Sequence, residues 1–322
     1  MQRRQFNLAI ASAVASCSGI VKAEGWPDRP VKMILAHPAG SGVDSVARLV
    51  AERISRNWGQ TIVIENKPGG QNIIGAQAAA RSLPDGYTFY FATSAALVTN
   101  VFLFKNLPYD PQKDFVPVGL IGRSPFAIMA SDKSPFRGIG DLIARAKAEP
   151  GKVSVANEGP KTFGGMIGRL FNSRAQIETN LISYASVSTA VQDTMGGHTD
   201  ALIADVASSA QLIRQGRLRM LAVTSAQRLA DYDKVPALAE TLPGFEMTGW
   251  MAIVAPTGTP REALQRFSRD LDATLLDKDT AERIHGLGPV PEAGGPEHLA
   301  AFLQAERSRW EVLAKEIGVL PE

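Results

Sequence analysis

The chain has 322 residues, which exceeds the size at which one hydrophobic core usually keeps growing, so two domains are expected. Hydrophobic residues make up 45% and charged residues 20%, ordinary proportions for a globular protein that exclude a disordered or fibrous chain. The formal net charge is +2 and no block of basic residues occurs, so we predict no nucleic-acid partner.

The first 23 residues have the pattern of a secretory signal. Arg3 and Arg4 precede an apolar stretch over residues 6 to 21, and small or apolar residues stand before the expected cleavage site. We therefore predict a signal peptide over residues 1–23, with cleavage after Ala23. Its removal takes away Arg3, Arg4 and Lys22 and no acid, so the formal charge moves from +2 to −1.

The only cysteine of the chain, Cys17, leaves an alternative for this segment. Residues 14 to 17 fit a lipoprotein-type cleavage box, which would leave a lipidated Cys17 as the first residue. In either case the folded part has no thiol, which excludes disulfides, thiolate metal sites and cysteine catalysis. No later stretch has about 18 uninterrupted apolar residues, so no membrane span is predicted.

After the signal, short apolar runs alternate with segments of helical periodicity. The predicted strands are Val31 to Leu35, Thr61 to Glu65, Tyr87 to Ala92, Phe126 to Ala130, Val153 to Ala156, Asn180 to Tyr184, Ala201 to Ile203, Met220 to Thr224 and Met251 to Ala255. The predicted helices include Asp44 to Trp58, Ile139 to Ala148 and Val187 to Met195. This alternation predicts an α/β fold with parallel sheets covered by helices.

The turn after the first predicted strand is a candidate anion site. Gly40, Ser41 and Gly42 lead into the first helix, so unpaired backbone N–H groups and the positive end of a helix dipole converge there. Glycine allows the close backbone approach that such a cradle needs. A tight turn with nothing bound is the alternative. Asp44, in the first helical turn, could stabilise the helix or accept a hydrogen bond from a solute.

The motifs of enzymes and cofactor-binding proteins are missing. His37, Ser41 and Asp44 lie within eight residues on one turn, so the imidazole can hardly bridge the other two as a hydrolase triad requires. The four histidines lack the short spacings of a metal site. Neither a phosphate loop nor a dinucleotide fingerprint is present. We therefore predict no enzyme, no cofactor and no metal.

Two apolar, extended stretches could carry the chain between two lobes. They are Phe115 to Leu120 and Ala222 to Ala226. Two such crossings would make residues 24–120 together with 226–322 one lobe, and residues 121–225 the other. In α/β folds of this kind ligands sit beyond the carboxyl ends of the strands, here in the cleft between the lobes.

A series of short motifs gives the chain a family resemblance. In order, they include Trp26-Pro27-Asp28-Arg29-Pro30, the turn Gly40 to Asp44 with Val46-Ala47-Arg48, Glu65 to Gly69, Pro84 to Thr88, Leu107 to Pro111, Gly196-Gly197 with Asp200, Gly216 to Arg219, Pro243 to Phe245 and Ala255 to Pro260. Together they resemble the Bug family, the extracytoplasmic solute receptors of the tripartite tricarboxylate transporter type. No single motif identifies the family, but the motifs follow one another in order over nearly the whole mature chain.

This resemblance implies a two-lobed periplasmic binding protein of the Venus flytrap, type II-like fold, each lobe a mainly parallel sheet flanked by helices. In the family the first turn holds one carboxylate of a small solute, largely through backbone N–H groups and ordered water, and later loops of both lobes enclose the rest. The implied partner is a tripartite tricarboxylate-type permease or, alternatively, a signalling partner without transport, and the chain is expected to be a monomer. By position, the implied ligand-binding residues are Gly40, Ser41, Gly42, Asp44, Thr93, Ser94, Asn157, Lys161, Thr162, Phe163 and Asp205.

Several of these positions have a second interpretation. Thr93, Ser94 and Thr162 stand next to predicted helix starts, where hydroxyl side chains often cap helices. Lys161 stands where many family members carry a small residue, and it could neutralise a second carboxylate or remain solvated. Asp205 could pair with an amino group of the solute or be a plain surface acid. The first turn departs from the family pattern at three positions: Ala39, Ser41 and Val43.

Overall fold

The computed structural model describes residues 25–321. The predicted signal segment and Cys17 lie outside this range. Within it, no helix combines the length and the apolar character that are needed to cross a membrane.

The described chain alternates strands and helices along its length. The strands are β1 (Val31–Leu35), β2 (Ile62–Asn66), β3 (Thr88–Thr93), β4 (Phe115–Ser124), β5 (Phe126–Ser131), β6 (Ser154–Asn157), β7 (Asn180–Ser183), β8 (Ala201–Asp205), β9 (Leu218–Val223), β10 (Gly249–Pro256) and β11 (Val290–Gly294). The helices are α1 (Gly42–Trp58), α2 (Ile73–Ala80), α3 (Asn100–Leu103), α4 (Ile139–Ala148), α5 (Phe163–Ala175), α6 (Val187–Gly196), α7 (Val206–Arg214), α8 (Leu238–Thr241), α9 (Arg261–Leu276), α10 (Lys278–Gly286) and α11 (Pro296–Glu316).

These strands form two separate mixed sheets. In the described part of the chain, the first sheet has the order β11-β4-β10-β3-β1-β2 and the second has the order β7-β6-β8-β5-β9. In the first sheet β1 pairs in parallel with β2 and β3, whereas β10 is antiparallel to β3 and β4. In the second sheet β6 is parallel to β7 and β8, whereas β5 is antiparallel to β8 and β9.

Helix α1 illustrates why the sequence adopts these elements. Its apolar residues recur at helical spacing and form a buried stripe that packs on the first sheet, while Arg48, Glu52 and Arg56 are exposed. Ser41 caps its first turn, and Gly59 ends it in the left-handed conformation with φ 67°, which glycine adopts without steric cost. The fully buried members of the stripe are Val46, Ala47, Val50 and Ile54.

The chain passes between the sheets at two places close in space. Only Pro125 separates Ser124, the last residue of β4, from Phe126, the first residue of β5. The return runs from β9 to β10, where the buried Thr224 amide donates to the Phe126 carbonyl at 2.9 Å and its hydroxyl donates to the Met247 carbonyl at 2.6 Å. Thr224 therefore ties the two crossings together.

The strand directions bring the carboxyl ends of both sheets to these crossings. Because β3 and β4 are both antiparallel to β10, the carboxyl end of β4 lies at the same edge as those of β1 and β3. In the second sheet Phe126 pairs with Asp205, the last residue of β8, so the carboxyl ends of β6 and β8 also lie at the crossing. The loops that follow β1, β3, β6 and β8 consequently face one another.

The C-terminal helix α11 contacts elements of both sheets. It packs on β4 and β11 of the first sheet and on α5 beside the second. The fully buried Trp310 lies with its ring centroid 5.9 Å from that of Phe163, and Arg174 of α5 forms an ion pair with Glu316 at 2.8 Å. Helix α11 therefore spans the side of the molecule where the sheets meet.

The nine predicted strands are confirmed, with ends displaced by at most two residues. The expectation of mainly parallel sheets is wrong, because β5 and β10 each run antiparallel to two neighbours as the chain enters and leaves the second sheet. Residues 115–120, predicted as a crossing, belong to β4, and β11 was not predicted. The predicted lobe boundaries stay a prediction.

Candidate functional site

The first turn ends in a capped helix start at the carboxyl end of β1. Ser41 has extended backbone angles, and its Oγ accepts a hydrogen bond from the Asp44 amide at 3.2 Å. Gly40 has φ 81°, a left-handed conformation that reverses the chain before the cap. Within residues 25–321, the amides of Gly42 and Val43 have no hydrogen-bond acceptor, and Gly42 is exposed. Two N–H groups at the positive end of α1 therefore remain open.

The carboxylate of Asp44 organises this turn from inside. Asp44 is only 2% exposed; its Oδ2 accepts from the Gly40 amide and from Arg48 Nε, each at 2.8 Å. Its Oδ1 accepts from Asn66 Nδ2, also at 2.8 Å. Burial alone would raise the pKa of Asp44, but the hydrogen bonds from Arg48, Asn66 and Gly40 outweigh it and hold the pKa below its ordinary value. The Gly40 amide is thus already engaged, and Asp44 is a structural anion.

Asn66 and His37 support the same turn, and neither was predicted as a site residue. Asn66, at the end of β2, donates from Nδ2 to the His37 carbonyl at 2.9 Å as well as to Asp44. The His37 Nε2 is buried and has no hydrogen-bond partner in the described range. Burial lowers the pKa of His37 to about 4, so its imidazole is neutral at pH 7. The residue therefore adds a polar, uncharged group behind the turn.

Thr93 and Ser94 stand at the carboxyl end of β3, the strand next to β1. Thr93 Oγ1 accepts a hydrogen bond from Asn72 Nδ2 at 2.9 Å. Ser94 is 6% exposed and precedes a π-helical turn over Ala95–Thr99. Its side chain makes no capping hydrogen bond, so the capping interpretation is wrong for Ser94. Both side chains stand at the carboxyl edge of the first sheet.

The loop after β6 is held together by two predicted site residues. Asn157 is 1% exposed, and its Oδ1 accepts from the Gly159 amide at 2.8 Å. Thr162 caps α5, since its Oγ1 accepts from the Gly165 amide at 3.2 Å, and it also donates to the Gly159 carbonyl at 2.7 Å. The capping interpretation is therefore confirmed for Thr162, and Asn157 shapes the loop from within.

Asp205 has a similar structural task at the end of β8. Its Oδ1 accepts from the Ser208 amide at 2.8 Å and caps α7. The side chain is half-buried rather than fully exposed. Its position beside the loop after β6 follows from the parallel pairing of β6 with β8.

Lys161 contacts a residue that precedes β4 of the first sheet, whereas Phe163 contacts β5 of the second sheet and helix α11. The Lys161 Nζ lies 5.1 Å from the ring centroid of Phe104, which precedes β4, within the range of a cation–π attraction. The Phe163 ring centroid lies 5.2 Å from that of Phe126 and 5.9 Å from that of Trp310. Lys161 is half-buried. These contacts close one side of the space between the sheet edges.

Glu158 is a site residue that the sequence did not reveal. It directly follows β6, and its Oε2 lies 3.8 Å from the position that a Cβ on Gly164 would occupy, over the first turn of α5. Burial raises the pKa of Glu158 to about 7, and the negative charge of Asp205 adds to the rise. A glutamate beside glycine in a loop is typically solvated, so only the folded chain identifies this acid as partly desolvated.

Other features of the described chain do not compete with this arrangement. Among residues 25–321, no three His, Cys, Asp or Glu side chains are grouped so that they could hold a metal ion. Two surface hollows of about 730 and 580 Å³ lie elsewhere, one along α1 and β2 and one around residues 101–112. Both are open to solvent and contain none of the predicted ligand-binding residues.

Comparison with known proteins identifies the family. The profile of the tripartite tricarboxylate transporter family receptor matches residues 46–319. The chain belongs to this family. As a tripartite tricarboxylate family receptor it is a binding protein and not an enzyme, which confirms both the resemblance and the prediction of no catalysis.

Three relatives show how far the similarity extends. Protein BugT of Bordetella pertussis is 32% identical over 97% of this chain and 96% of its own. The structure of R. palustris Rpa4515 with adipate is 30% identical, with a TM-score of 0.85 over 92% of this chain and 100% of that one. MatC from Rhodopseudomonas palustris with bound malate is 26% identical, with a TM-score of 0.78 over 90% and 100%. The receptor fold is therefore confirmed over most of the chain.

The family also indicates the cellular compartment of its receptors. Its structural relatives include proteins described as a periplasmic transporter and as a periplasmic binding protein, so this is a family of periplasmic binding proteins. Nothing in these relatives supports the alternative of a lipid anchor at Cys17.

Proposed function

We propose that this receptor binds a small carboxylated solute between the facing edges of its two sheets and delivers it to a tripartite tricarboxylate-type permease. On this proposal the chain is exported, cleaved after Ala23 and active in the periplasm as a monomer. Adipate and malate, which two relatives hold, are both dicarboxylates and set the first class of solute to test.

The observation that carries the proposal is the open pair of amides at the start of α1. The Gly42 and Val43 N–H groups lack acceptors in the described chain, while Asp44 and Ser41 satisfy the neighbouring amides of the turn. A carboxylate placed there would take two charge-assisted hydrogen bonds, each contributing about 1.5–3 kcal/mol, and would meet the positive end of the helix dipole.

Residues at the edges of both sheets supply the remainder of the proposed site. Thr93 and Ser94 belong to the first sheet, and Lys161, Thr162 and Asp205 belong to the second. A solute that contacts both groups would favour a closed arrangement, because binding energy that depends on both edges shifts the equilibrium towards it. Within residues 25–321 the chain connects the sheets at Pro125 and between β9 and β10, so these two crossings are the expected hinge.

A pair of glycine variants tests the proposal. A Cβ on Gly42 would meet no atom within 4 Å, so Gly42→Val should fold while its side chain fills the cradle. Gly140, near the start of α4 in the second sheet's half, has the same free space and no positive φ, so Gly140→Val is the matched control.

The measurement combines thermal shift with calorimetry over mono-, di- and tricarboxylates. We expect at least one acid to raise the melting temperature of the wild type, Gly42→Val to weaken its binding at least tenfold, and Gly140→Val to leave the affinity unchanged. Unchanged affinity in Gly42→Val would refute the cradle. If no acid in the panel stabilises the wild type, the proposed carboxylate function itself is contradicted.

A further inference from the structure

We propose that Glu158 and Asp205 together recognise a protonated amino group, so that this receptor selects amino-bearing carboxylates over the same acids without nitrogen. The inference rests on the proposed function, because it assigns the second half of the same site. The carboxylate of the solute would lie at the first turn, and its ammonium group at the carboxyl edge of the second sheet.

The first step is the placement of the two acids. Glu158 is the first residue after β6 and Asp205 is the last residue of β8. These strands are parallel neighbours, with Val155 opposite Ala201 and Ala156 opposite Leu202, so both carboxyl groups emerge at one edge. The negative charge of Asp205 also contributes to the raised pKa of Glu158.

The second step is that the carboxylate oxygens of these two acids can accept further hydrogen bonds. Asp205 uses Oδ1 for the cap of α7, and its Oδ2 has no hydrogen-bond donor in residues 25–321. No hydrogen-bond donor lowers the pKa of Glu158, whereas burial and the Asp205 charge both raise it. A carboxylate accepts several hydrogen bonds, and an ammonium group offers three donors. The pair is therefore chemically complementary to R–NH₃⁺.

The third step is electrostatic. Two neighbouring carboxylates in a partly desolvated place repel each other, and a solute cation between them removes that repulsion and replaces lost hydration. A second solute carboxylate in the same place would add a third negative charge. The pair thus attracts an ammonium group and disfavours a carboxylate, which is the discrimination that separates an amino acid from its parent diacid.

The test compares acids that differ only by an amino group. Succinate with aspartate, glutarate with glutamate, and adipate with 2-aminoadipate are measured by calorimetry at pH 8, where Glu158 is ionised. In the wild type we expect at least one aminated acid to bind ten times more tightly or better than its partner. Glu158→Gln and Asp205→Asn should each remove most of that preference, chiefly by weakening the aminated acid, because each variant removes one of the two charges that attract the ammonium group.

These variants are chosen to preserve the fold. Glutamine has the shape of glutamate, and asparagine caps helices about as well as aspartate, so α7 keeps its cap. Glu178→Gln is the matched control, because Glu178 is an exposed acid just before β7, at the opposite edge of the same sheet. It should leave the preference unchanged.

The outcomes separate this inference from the function on which it rests. If aminated and plain acids bind wild type equally, or if the preference survives both Glu158→Gln and Asp205→Asn, the amino-group role is overturned and the carboxylate receptor stands. If no acid of either kind binds, the proposed function fails and this inference fails with it.

Discussion

Replacing Glu158 by glutamine should stabilise the protein at high pH and have almost no effect at low pH. Burial, with the Asp205 charge, raises the pKa of Glu158 from 4.5 to about 7. Each unit by which the pKa of Glu158 differs between the folded and the unfolded chain corresponds to about 1.4 kcal/mol. Ionising Glu158 in the folded chain therefore costs about 3 kcal/mol of stability. Glutamine cannot ionise and avoids that cost.

The sign follows from proton binding. Between pH 4.5 and about 7 the folded chain holds more protons at Glu158 than the unfolded chain does, so the free energy of unfolding falls as the pH rises. The loss begins near pH 4.5 and is complete just above pH 7. Glu158→Gln should therefore match the wild type at pH 4 and exceed its unfolding free energy by about 3 kcal/mol at pH 8.

Urea unfolding of both proteins at pH 4, 6 and 8 measures this difference. The same pair in an Asp205→Asn background is the internal control, because removing the Asp205 charge should reduce the gain from glutamine at pH 8. A difference between Glu158→Gln and wild type that does not change with pH would refute the reasoning, since it would mean that Glu158 is not desolvated in the fold.

Three further changes probe the first turn and the contact between the two halves. Because the pKa of His37 is lowered to about 4, its own contribution to the unfolding free energy should fall by up to about 3 kcal/mol between pH 6.5 and pH 4, opposite in sign to the contribution of Glu158. The difference in unfolding free energy between wild type and His37→Phe in urea should therefore change by that amount over this range, and a difference that does not change with pH would contradict the prediction. Asp44→Ala should destabilise the chain by about 2–4 kcal/mol, because Arg48 and the turn amide lose their buried acceptor, and a loss below about 0.5 kcal/mol would contradict the assigned role. At Gly288, with φ 106°, an added Cβ would lie 2.2 Å from the Ala207 Cβ on α7, so Gly288→Val should weaken solute binding in calorimetry by holding the halves apart. Unchanged affinity would show that this close approach is not needed for binding.

Local signals in the sequence predicted most of the elements and the first turn. The glycines around Ser41, followed by an amphipathic stripe, predict a capped helix start after a strand, and the structure confirms that cap. The strand β11 escaped prediction because Pro291 and Gly294 interrupt its pattern, and its pairing with β4 depends on a distant part of the chain.

The charged interior of the site could not be predicted in this way. From the sequence, Asp44 is a typical acid in the first turn of a helix. Its hydrogen-bond partner Asn66 lies 22 residues further along the chain, on strand β2. Burial in the folded chain raises the pKa of Glu158, and the charge of Asp205, at the end of the neighbouring strand β8, adds to the rise. Burial and the charge of distant neighbours set these properties, and neither has a local signature in the sequence.

The most direct test of the account is a crystal structure of the receptor with the acid that stabilises it most in the thermal-shift panel. The account predicts a carboxylate oxygen within about 3.2 Å of the Gly42 and Val43 nitrogens, or one ordered water that accepts from these nitrogens and donates to the carboxylate. A solute held elsewhere, for instance in the hollow around residues 101–112, with the amides of Gly42 and Val43 unoccupied, would contradict the central claim.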